Sequence, residues 1–599
     1  MIFGLIFIVR SSNRAFSSGS NKQISSDTVQ SSAFSNKTFP KFDDPDWKNI
    51  RIKLNYDYIT GNLRDPLTCY EEGQVIKLSS TKNVTCEKNM VVSNMDLKNF
   101  TQTINNLKIF LENFLKVIPT PNKEYDFEYI IKLPQFDGSG IISSSTIKNY
   151  DSFRRPILSE LAVNPSNIPK FVSEFETERS DFIIDLFLRT IFALGATNPK
   201  YHHKNSTLFY SNKQTYCSMT KYGKKFQFIT GPYSHIFAQK RYGVDEFVGD
   251  DNTCPSGIEI SGSRTIGSKF FTDVATGWSY QNPGLQINRI TDATMALFQD
   301  TGNYLCNWSM AQPLVWGNPE SQIGGKPIKD FAIGPPQLVF PKGYLREEDR
   351  PVWVFDESNP DYTGFNFKYG GIHLYLEEAP SNCDDQWKTY CDGIEFYNPL
   401  KRKYITNYQF FDYAPMKNPW TSCKNGFAMF PGDGFCRRYT CDKYDSFTLV
   451  TPQFKDVNGN QINITCTKDN PNKNITIQVP GYSDRYRNIT CVHPELFCRT
   501  VKLHEMHFVR DPFDKSSTQL DDPYGESSTK TEPKTNSTSN LETKTKSSPK
   551  IKIIVPCAVC GIIVIVAIVA VIVIIIMKRK LDTDISEDGN LNSFKEDEV

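Results

Sequence analysis

The chain has 599 residues and a formal net charge of +1, so its overall charge gives no reason to expect a nucleic-acid partner. Its length suffices for about two to four domains with substantial cores. The 42 Phe and 28 Tyr residues indicate a globular protein and exclude a wholly disordered chain.

The first half of the chain predicts ordered elements after an N-terminal segment that lacks them. Residues 1–45 are predicted to be a signal or pro-segment without ordered structure. Residues 51–56 alternate like a strand, and residues 96–117 carry apolar residues at helical spacing. Residues 181–194 predict a largely apolar helix. A third helix is predicted over residues 291–299, with Thr291 in the capping position.

The second half has a different composition. Residues 301–510 are rich in Cys, Gly, Pro and aromatic residues, with short alternating runs at 462–466 and 475–479, and they predict a disulfide-rich, mainly β domain. Residues 511–551 are rich in Ser, Thr and Lys and predict a flexible stalk.

Membrane anchorage is predicted at the C-terminal end. Residues 553–577 form a 25-residue run without a charge, long enough to cross a hydrocarbon core of about 30 Å. The basic residues 578–580 follow directly, which predicts a single-pass type I protein with a transmembrane helix at 552–577 and a cytoplasmic tail at 578–599. The plasma membrane is the expected location, with the preceding chain outside the cell.

Cysteines and glycosylation sequons agree with an extracellular ectodomain. Thirteen of the fifteen Cys residues precede residue 552, which predicts disulfide bonds and, because thirteen is odd, at least one thiol without an intramolecular partner. Nine sequons are candidate glycosylation sites: Asn36, Asn83, Asn99, Asn205, Asn307, Asn463, Asn474, Asn488 and Asn536.

Five segments follow one another in a characteristic order, at residues 155–165, 192–196, 238–244, 259–268 and 290–304. In order and spacing they resemble the leishmanolysin family of membrane-anchored zinc metallopeptidases, which are surface metzincins. The similarity spans about residues 50–500. It implies an α+β fold with metzincin-like N-terminal and central modules over residues 46–300, which precede the Cys-rich domain.

The departures from this family fall on the catalytic positions. The family's zinc helix supplies two His ligands and a Glu base, but the matching positions at 181–196 hold Leu188, Phe192 and Arg189. Lys269 stands where the third His ligand is expected, and Ala275 stands at the Met-turn position. Leu and Phe have no lone pair for a metal, and a cationic side chain repels Zn²⁺. We therefore expect no intact catalytic or metal site and no cofactor.

Other histidines do not rebuild the site. His504 and His507 are three residues apart, whereas a zinc-binding pair on a helix is four apart, so they are interpreted as polar surface. His202 and His203 are interpreted as a surface loop.

The sequence thus favours a catalytically inactive metallopeptidase homologue at the cell surface. It would act in adhesion or protein binding, with host-cell proteins, matrix proteins or peptides as partners. One alternative is an active zinc metalloendopeptidase, in which case zinc would be the cofactor. A second alternative is a purely structural coat protein.

Overall fold

A computed structural model describes residues 45–136, 142–174, 181–203, 215–277, 287–346, 363–370, 376–417, 419, 421–450, 454–478 and 484–513. These residues all belong to one compact unit. Its main hydrophobic cluster includes residues from Ile50 to Phe513, so chain segments distant in sequence share one core. A second cluster lies in the Cys-rich region and includes Phe430, Phe447 and Phe497.

The helices are mostly short, and two long amphipathic or apolar helices dominate the first half. The described helices are α1 Asp57–Thr60, α2 Lys98–Phe114, α3 Asp181–Ala193, α4 Pro232–Tyr242, α5 Gly267–Phe270, α6 Asp292–Asp300, α7 Pro336–Val339, α8 Lys388–Asp392, α9 Ile394–Tyr397 and α10 Pro494–Glu505.

The strands are also short, and they form several separate sheets. In chain order they are β1 Lys48–Asn49, β2 Ile52–Asn55, β3 Val75–Lys77, β4 Asn83–Thr85, β5 Leu115–Val117, β6 Phe127–Lys132, β7 Ser143–Tyr150, β8 Pro156–Val163, β9 Tyr216–Lys221, β10 Lys224–Ile229, β11 Glu246–Val248, β12 Thr253–Pro255, β13 Ile258–Ser261, β14 Arg264–Thr265, β15 Leu305–Cys306, β16 Tyr369–Gly370, β17 Glu377–Glu378, β18 Tyr404–Ile405, β19 Thr421–Ser422, β20 Phe427–Ala428, β21 Arg437–Asp442, β22 Ser446–Leu449, β23 Ile464–Thr467, β24 Asn474–Gln478 and β25 Tyr486–Thr490.

A four-stranded sheet of order β2-β6-β8-β7 supports α3. β6 is parallel to β2 and β8, and β7 is antiparallel to β8. Alternate residues of β6 are buried, as expected when a strand has one face on a core. The Ser145 hydroxyl donates to the Arg189 carbonyl (2.7 Å), and the Ser159 hydroxyl donates to the Ala193 carbonyl (2.9 Å). The sheet therefore fixes α3 by satisfying carbonyls near its C-terminal end.

A second four-stranded sheet, of order β14-β13-β10-β9, is antiparallel throughout. β13 and β14 form a hairpin whose turn contains Gly262 at φ +61°. This sheet leads directly into α5. It thereby positions Lys269, which belongs to α5.

The described residues form six disulfides, and four of these lie in the Cys-rich region after residue 301. The pairs are Cys69–Cys86, Cys217–Cys254, Cys383–Cys391, Cys423–Cys436, Cys441–Cys498 and Cys466–Cys491. Cys306 is free and buried in β15. The prediction of disulfides with an odd thiol left over is thus confirmed.

The mixed α+β class is confirmed, and the three predicted helices are found. Thr291 caps α6 as predicted, because its side chain accepts from the Ala293 amide (3.2 Å). The helix predicted over 96–117 ends early, at Phe114. Leu115 and Lys116 instead pair with β15, so a tertiary strand pairing overrides the helical pattern there.

Within the described ranges, none of the helices has the length and apolarity needed to cross a bilayer. The predicted span, the cytoplasmic tail and the stalk from residue 514 onward lie outside the described residues, as does the N-terminal segment up to residue 44. The domain boundary near residue 300 stays a prediction.

Candidate functional site

Helix α3 carries the three positions that would hold the first two zinc ligands and the base. Its residues are apolar on nearly every side, and a helix of that composition is stable only when buried. Ile183, Leu186, Phe187 and Ile191 are fully buried in the main core. The helix ends at a sharp turn in which Gly195 has φ +78°, and a Cβ there would lie 2.6 Å from the Cβ of Tyr201. Gly195 thus lets the chain turn directly after α3.

Leu188 lies against the turn that contains Ala275. Leu188 is 5% exposed, and a Cβ added to Gly277 would lie 2.4 Å from its Cδ2. Residues Val274–Thr276 form a 3-10 turn, which ends at Gly277 in the left-handed region (φ +70°). The fold thus brings two of the predicted site positions together, and an isobutyl group fills the space between them.

Asp273 holds this turn in place. Its carboxylate accepts from the Ala275 amide (2.7 Å), from the Thr294 hydroxyl (2.9 Å) and from Thr291. Burial raises the pKa of Asp273 to about 6, although the hydrogen bonds from Thr291 and Thr294 oppose the shift. The turn is therefore tied to the start of α6 by one buried carboxyl group.

Arg189, at the position of the base, is neutralised within its own helix. Its Nη2 lies 3.5 Å from Asp185 Oδ1, and its Nε donates to the Ser143 hydroxyl (3.3 Å). Ser143 in turn donates to the other oxygen of Asp185. Burial raises the pKa of Asp185, while the charge of Arg189 lowers it. Phe192 is partly buried one turn further along α3.

Lys269 is completely buried in an aromatic surrounding. Its Nζ donates to the Gly334 carbonyl (3.1 Å) and lies 4.7 Å from the ring centre of Phe340. The rings of Phe331 and Phe396 lie at 5.7 and 5.5 Å. Burial lowers the pKa of Lys269 to about 7. These contacts involve segments other than α3, so the ammonium is held beside Phe340 and not beside Leu188.

A buried ion cluster lies behind Lys269, and sequence reasoning missed it. Lys224 Nζ lies 2.8 Å from Glu259 Oε1 and 2.7 Å from Asp412 Oδ1, and all three residues are at least 95% buried. Ser268 donates to the second oxygen of Asp412. The pKa of Lys224 is raised because the two carboxylates outweigh the burial. Of the three residues, only Glu259 belongs to a segment named in the resemblance, and 188 residues separate Lys224 from Asp412, so no local pattern indicates the cluster.

The residues at the predicted zinc positions do not fit zinc. Leu188 and Phe192 offer no donor atom, and Lys269 uses its amine on a carbonyl 3.1 Å away. Arg189 brings a fixed positive charge, which its partner Asp185 already balances. In the described part of the chain, no group of three or more His, Cys, Asp or Glu residues is placed to hold a metal ion.

Two interpretations of histidines need correction. His202 is 3% exposed and not part of a surface loop, because the chain after α3 folds back into the core there. Burial lowers its pKa to about 4. His504 is not plain polar surface either. It is partly buried, its Nδ1 is buried without a partner, and it lines a cleft together with the exposed His507. Both departures come from tertiary contacts that local sequence does not encode.

The candidate glycosylation sites differ in exposure. Asn36, Asn205 and Asn536 lie outside the described residues. The others are exposed at Asn83, Asn463, Asn474 and Asn488, and partly buried at Asn99 and Asn307.

Two of these sequons face each other across a hairpin. β24 and β25 pair Asn474 with Thr490 and Thr476 with Asn488. The Thr490 hydroxyl donates to Asn474 (2.8 Å), and the Thr476 hydroxyl donates to Asn488 (2.7 Å). Both candidate asparagines are therefore on the same exposed face of the hairpin.

Comparison with known proteins adds no family assignment: no family model matches the chain, and no curated protein matches it.

Proposed function

We propose that this chain is a leishmanolysin-like surface glycoprotein that has lost zinc and catalysis and acts by binding, in adhesion or in capture of other proteins. The observation that carries the proposal is the occupation of the site positions by mutually compatible replacements. Leu188 packs against Gly277, and Arg189 pairs with Asp185. A peptidase needs an open metal position and a carboxylate base at this place.

The finer architecture belongs to the same proposal. Metzincin-like modules would occupy residues 46–300, and a mainly β domain would occupy 301–510. The contact between α3 and the turn at 274–276 supports the first part, because it joins the helix and the turn at which the resemblance implies the zinc ligands and the Met-turn. Four disulfides and the small sheets after residue 363 support the second part.

Single-pass anchorage at the plasma membrane is likewise proposed. The uncharged run at 553–577 and the basic residues at 578–580 support a type I orientation. Disulfides throughout residues 69–498 fit an oxidising compartment, in which such bonds form and persist.

Zinc content and peptidase activity test the loss of catalysis. The full-length protein would be purified in detergent without chelators, and its zinc would be measured by elemental analysis alongside casein cleavage. We expect well below one zinc per chain and no chelator-sensitive cleavage. One zinc per chain together with cleavage that a chelator abolishes would establish the active metalloendopeptidase instead.

Binding to cells or matrix separates an adhesin from a coat protein. Full-length protein in fluorescent liposomes would be applied to host cells and to matrix-coated plates, with protein-free liposomes as the control. An adhesin should give saturable binding, and an excess of the same full-length protein in unlabelled liposomes should compete with it. Binding no greater than that of the control liposomes would favour a structural coat.

A further inference from the structure

A cleft of about 780 Å³ is lined by residues of several segments, among them α2, α3 and α10, but by none of the replaced site positions. Ligand pockets commonly have volumes of roughly 300–1,000 Å³. The α2 wall combines the apolar Ile109 and Phe110 with two asparagines, and Met310 lies in the same lining. The lining also contains Arg289 and His504. We call this space the Arg289 cleft.

The backbone of Arg289 is fixed beside the turn of the replaced site. The Arg289 amide donates to the Thr272 carbonyl (2.8 Å), and its carbonyl accepts from the Val274 amide (2.9 Å). The side chain therefore starts from a rigid place. Its direction is set by two further hydrogen bonds, from Nε to Gln312 Oε1 (2.6 Å) and from Nη2 to the carbonyl of His504.

The guanidinium has no counter-ion among the described residues. Both of its side-chain hydrogen bonds go to neutral oxygens, although a guanidinium has five N–H donors. Glu174, which also lines the cleft, is engaged in another interaction, and Glu505 pairs with Lys368. Burial accordingly lowers the pKa of Arg289 to about 10. A partly desolvated charge without a partner is costly, and an anionic ligand would remove that cost.

The groups next to Arg289 are neutral, and their hydrogen bonds fix which of them can donate. Because Gln312 Oε1 accepts from Arg289, its amide NH₂ faces His507 Nε2 at 2.9 Å and must donate to it. The proton of a neutral His507 then resides on Nδ1, which can donate. The pKa of His504 is lowered by burial and by the charges of Arg289 and Lys368, so His504 is a neutral ring.

We propose that the Arg289 cleft binds the C-terminal carboxylate of a peptide whose last residue is apolar. The carboxylate would take the free N–H groups of Arg289, which match a carboxylate in a two-bond geometry. The apolar side chain would lie on the α2 wall, at Ile109 and Phe110. This inference deepens the proposed binding function, because it names the chemistry of a partner.

The test compares two small probes on the full-length protein. N-acetyl-L-phenylalanine carries the terminal carboxylate and an apolar side chain, and its amide lacks only the charge. Titration followed by ligand-observed NMR should show the acid binding at least tenfold more tightly than the amide. Raising the salt concentration should weaken the acid alone. Equal affinities, or no binding of the acid at 20 mM, would overturn the proposal.

Three variants locate the interaction. Arg289→Met should weaken the binding of the acid at least tenfold and leave the binding of the amide unchanged. His507→Glu should do the same without disturbing the core, because His507 is exposed and a new carboxylate would neutralise Arg289. Arg189→Met removes another partly buried arginine outside the cleft and should change the affinity for neither the acid nor the amide. A cleft that still prefers the acid in both His507→Glu and a folded Arg289→Met protein contradicts the assignment.

The outcome separates this inference from the broader function. Zinc content and casein cleavage decide whether the chain is a peptidase, and they do not depend on Arg289. Cell or matrix binding that survives Arg289→Met would keep the proposed function and remove the cleft from it.

Discussion

The replaced zinc positions and the Arg289 cleft both contain cationic side chains, but these side chains have different partners. At the replaced positions, Arg189 has Asp185, and Lys269 has a carbonyl and the faces of aromatic rings. In the cleft, Arg289 has only neutral oxygen partners and open space beside it. Because an unpaired buried charge costs stability, a fold keeps one only where something offsets the cost. The comparison points to the cleft, and not to the positions at which the resemblance would place zinc, as the ligand-binding site that we propose.

The largest effect is expected where buried charges compensate each other, at Lys224. Lys224→Met should lower the free energy of unfolding by about 3–5 kcal/mol, because it leaves Glu259 and Asp412 together without their cation. Urea unfolding measures the change. Lys225→Met is the matched control, since Lys225 is exposed on the same strand and should cost less than about 0.5 kcal/mol. If both variants changed the free energy of unfolding equally, Lys224 would not offset the buried charges of Glu259 and Asp412.

A histidine at position 188, where the resemblance would place a zinc ligand, should destabilise the protein. Leu188→His should cost about 2–3 kcal/mol, because it buries an imidazole against Gly277 and loses the apolar contact. Elemental analysis should still find no stoichiometric zinc, since Phe192 and Lys269 remain. Leu63→His, at an exposed leucine, controls for the substitution itself. Zinc binding by Leu188→His without a loss of stability would contradict this prediction, because it would show that the packing of Leu188 does not prevent zinc from binding.

Lys269→Met should stabilise the protein, by about 2 kcal/mol at pH 6.5. Burial lowers the pKa of Lys269 from 10.5 to about 7, so between these values the unfolded chain binds more protons than the folded one. The stability of the unaltered protein therefore rises with pH across that window. The advantage of the variant should be largest at or below pH 7 and should shrink toward pH 10. Thermal unfolding at several pH values tests this, and an advantage that grows with pH would contradict it.

The smallest effect is expected at Arg189. Its side chain is 30% exposed, and partly exposed ion pairs contribute about 0.5 kcal/mol. Arg189→Gln should therefore change the free energy of unfolding by no more than about 1 kcal/mol, with Lys108→Gln, in a similar helical pair, as the comparison. If urea unfolding showed a much larger loss of stability, the ion pair of Arg189 would be essential to the fold. The expected small contribution of Arg189 to stability would then be wrong.

Local pattern was sufficient for α3, for α6 with its Thr291 cap, and for the alternating strands β23 and β24. It failed where distant segments meet. The helix predicted through Val117 loses its last residues to pairing with β15, nearly 190 residues away in the chain. His202 is buried by the chain that follows α3, and Arg289 meets His504 across 215 residues. Such contacts leave no local periodicity, so one sequence could predict these helices and strands but not the cleft.

The buried thiol of Cys306 can report how often the surrounding core opens. It is the free thiol among the described cysteines, it is 1% exposed, and its strand β15 joins β5 at the edge of the main core. Burial raises its pKa, so the folded thiol is both shielded and protonated. The rate at which a thiol reagent modifies Cys306 therefore reports how often this part of the core opens. That rate can be followed in the intact, disulfide-bonded protein without a mutation, by mass spectrometry of the peptide that contains Cys306.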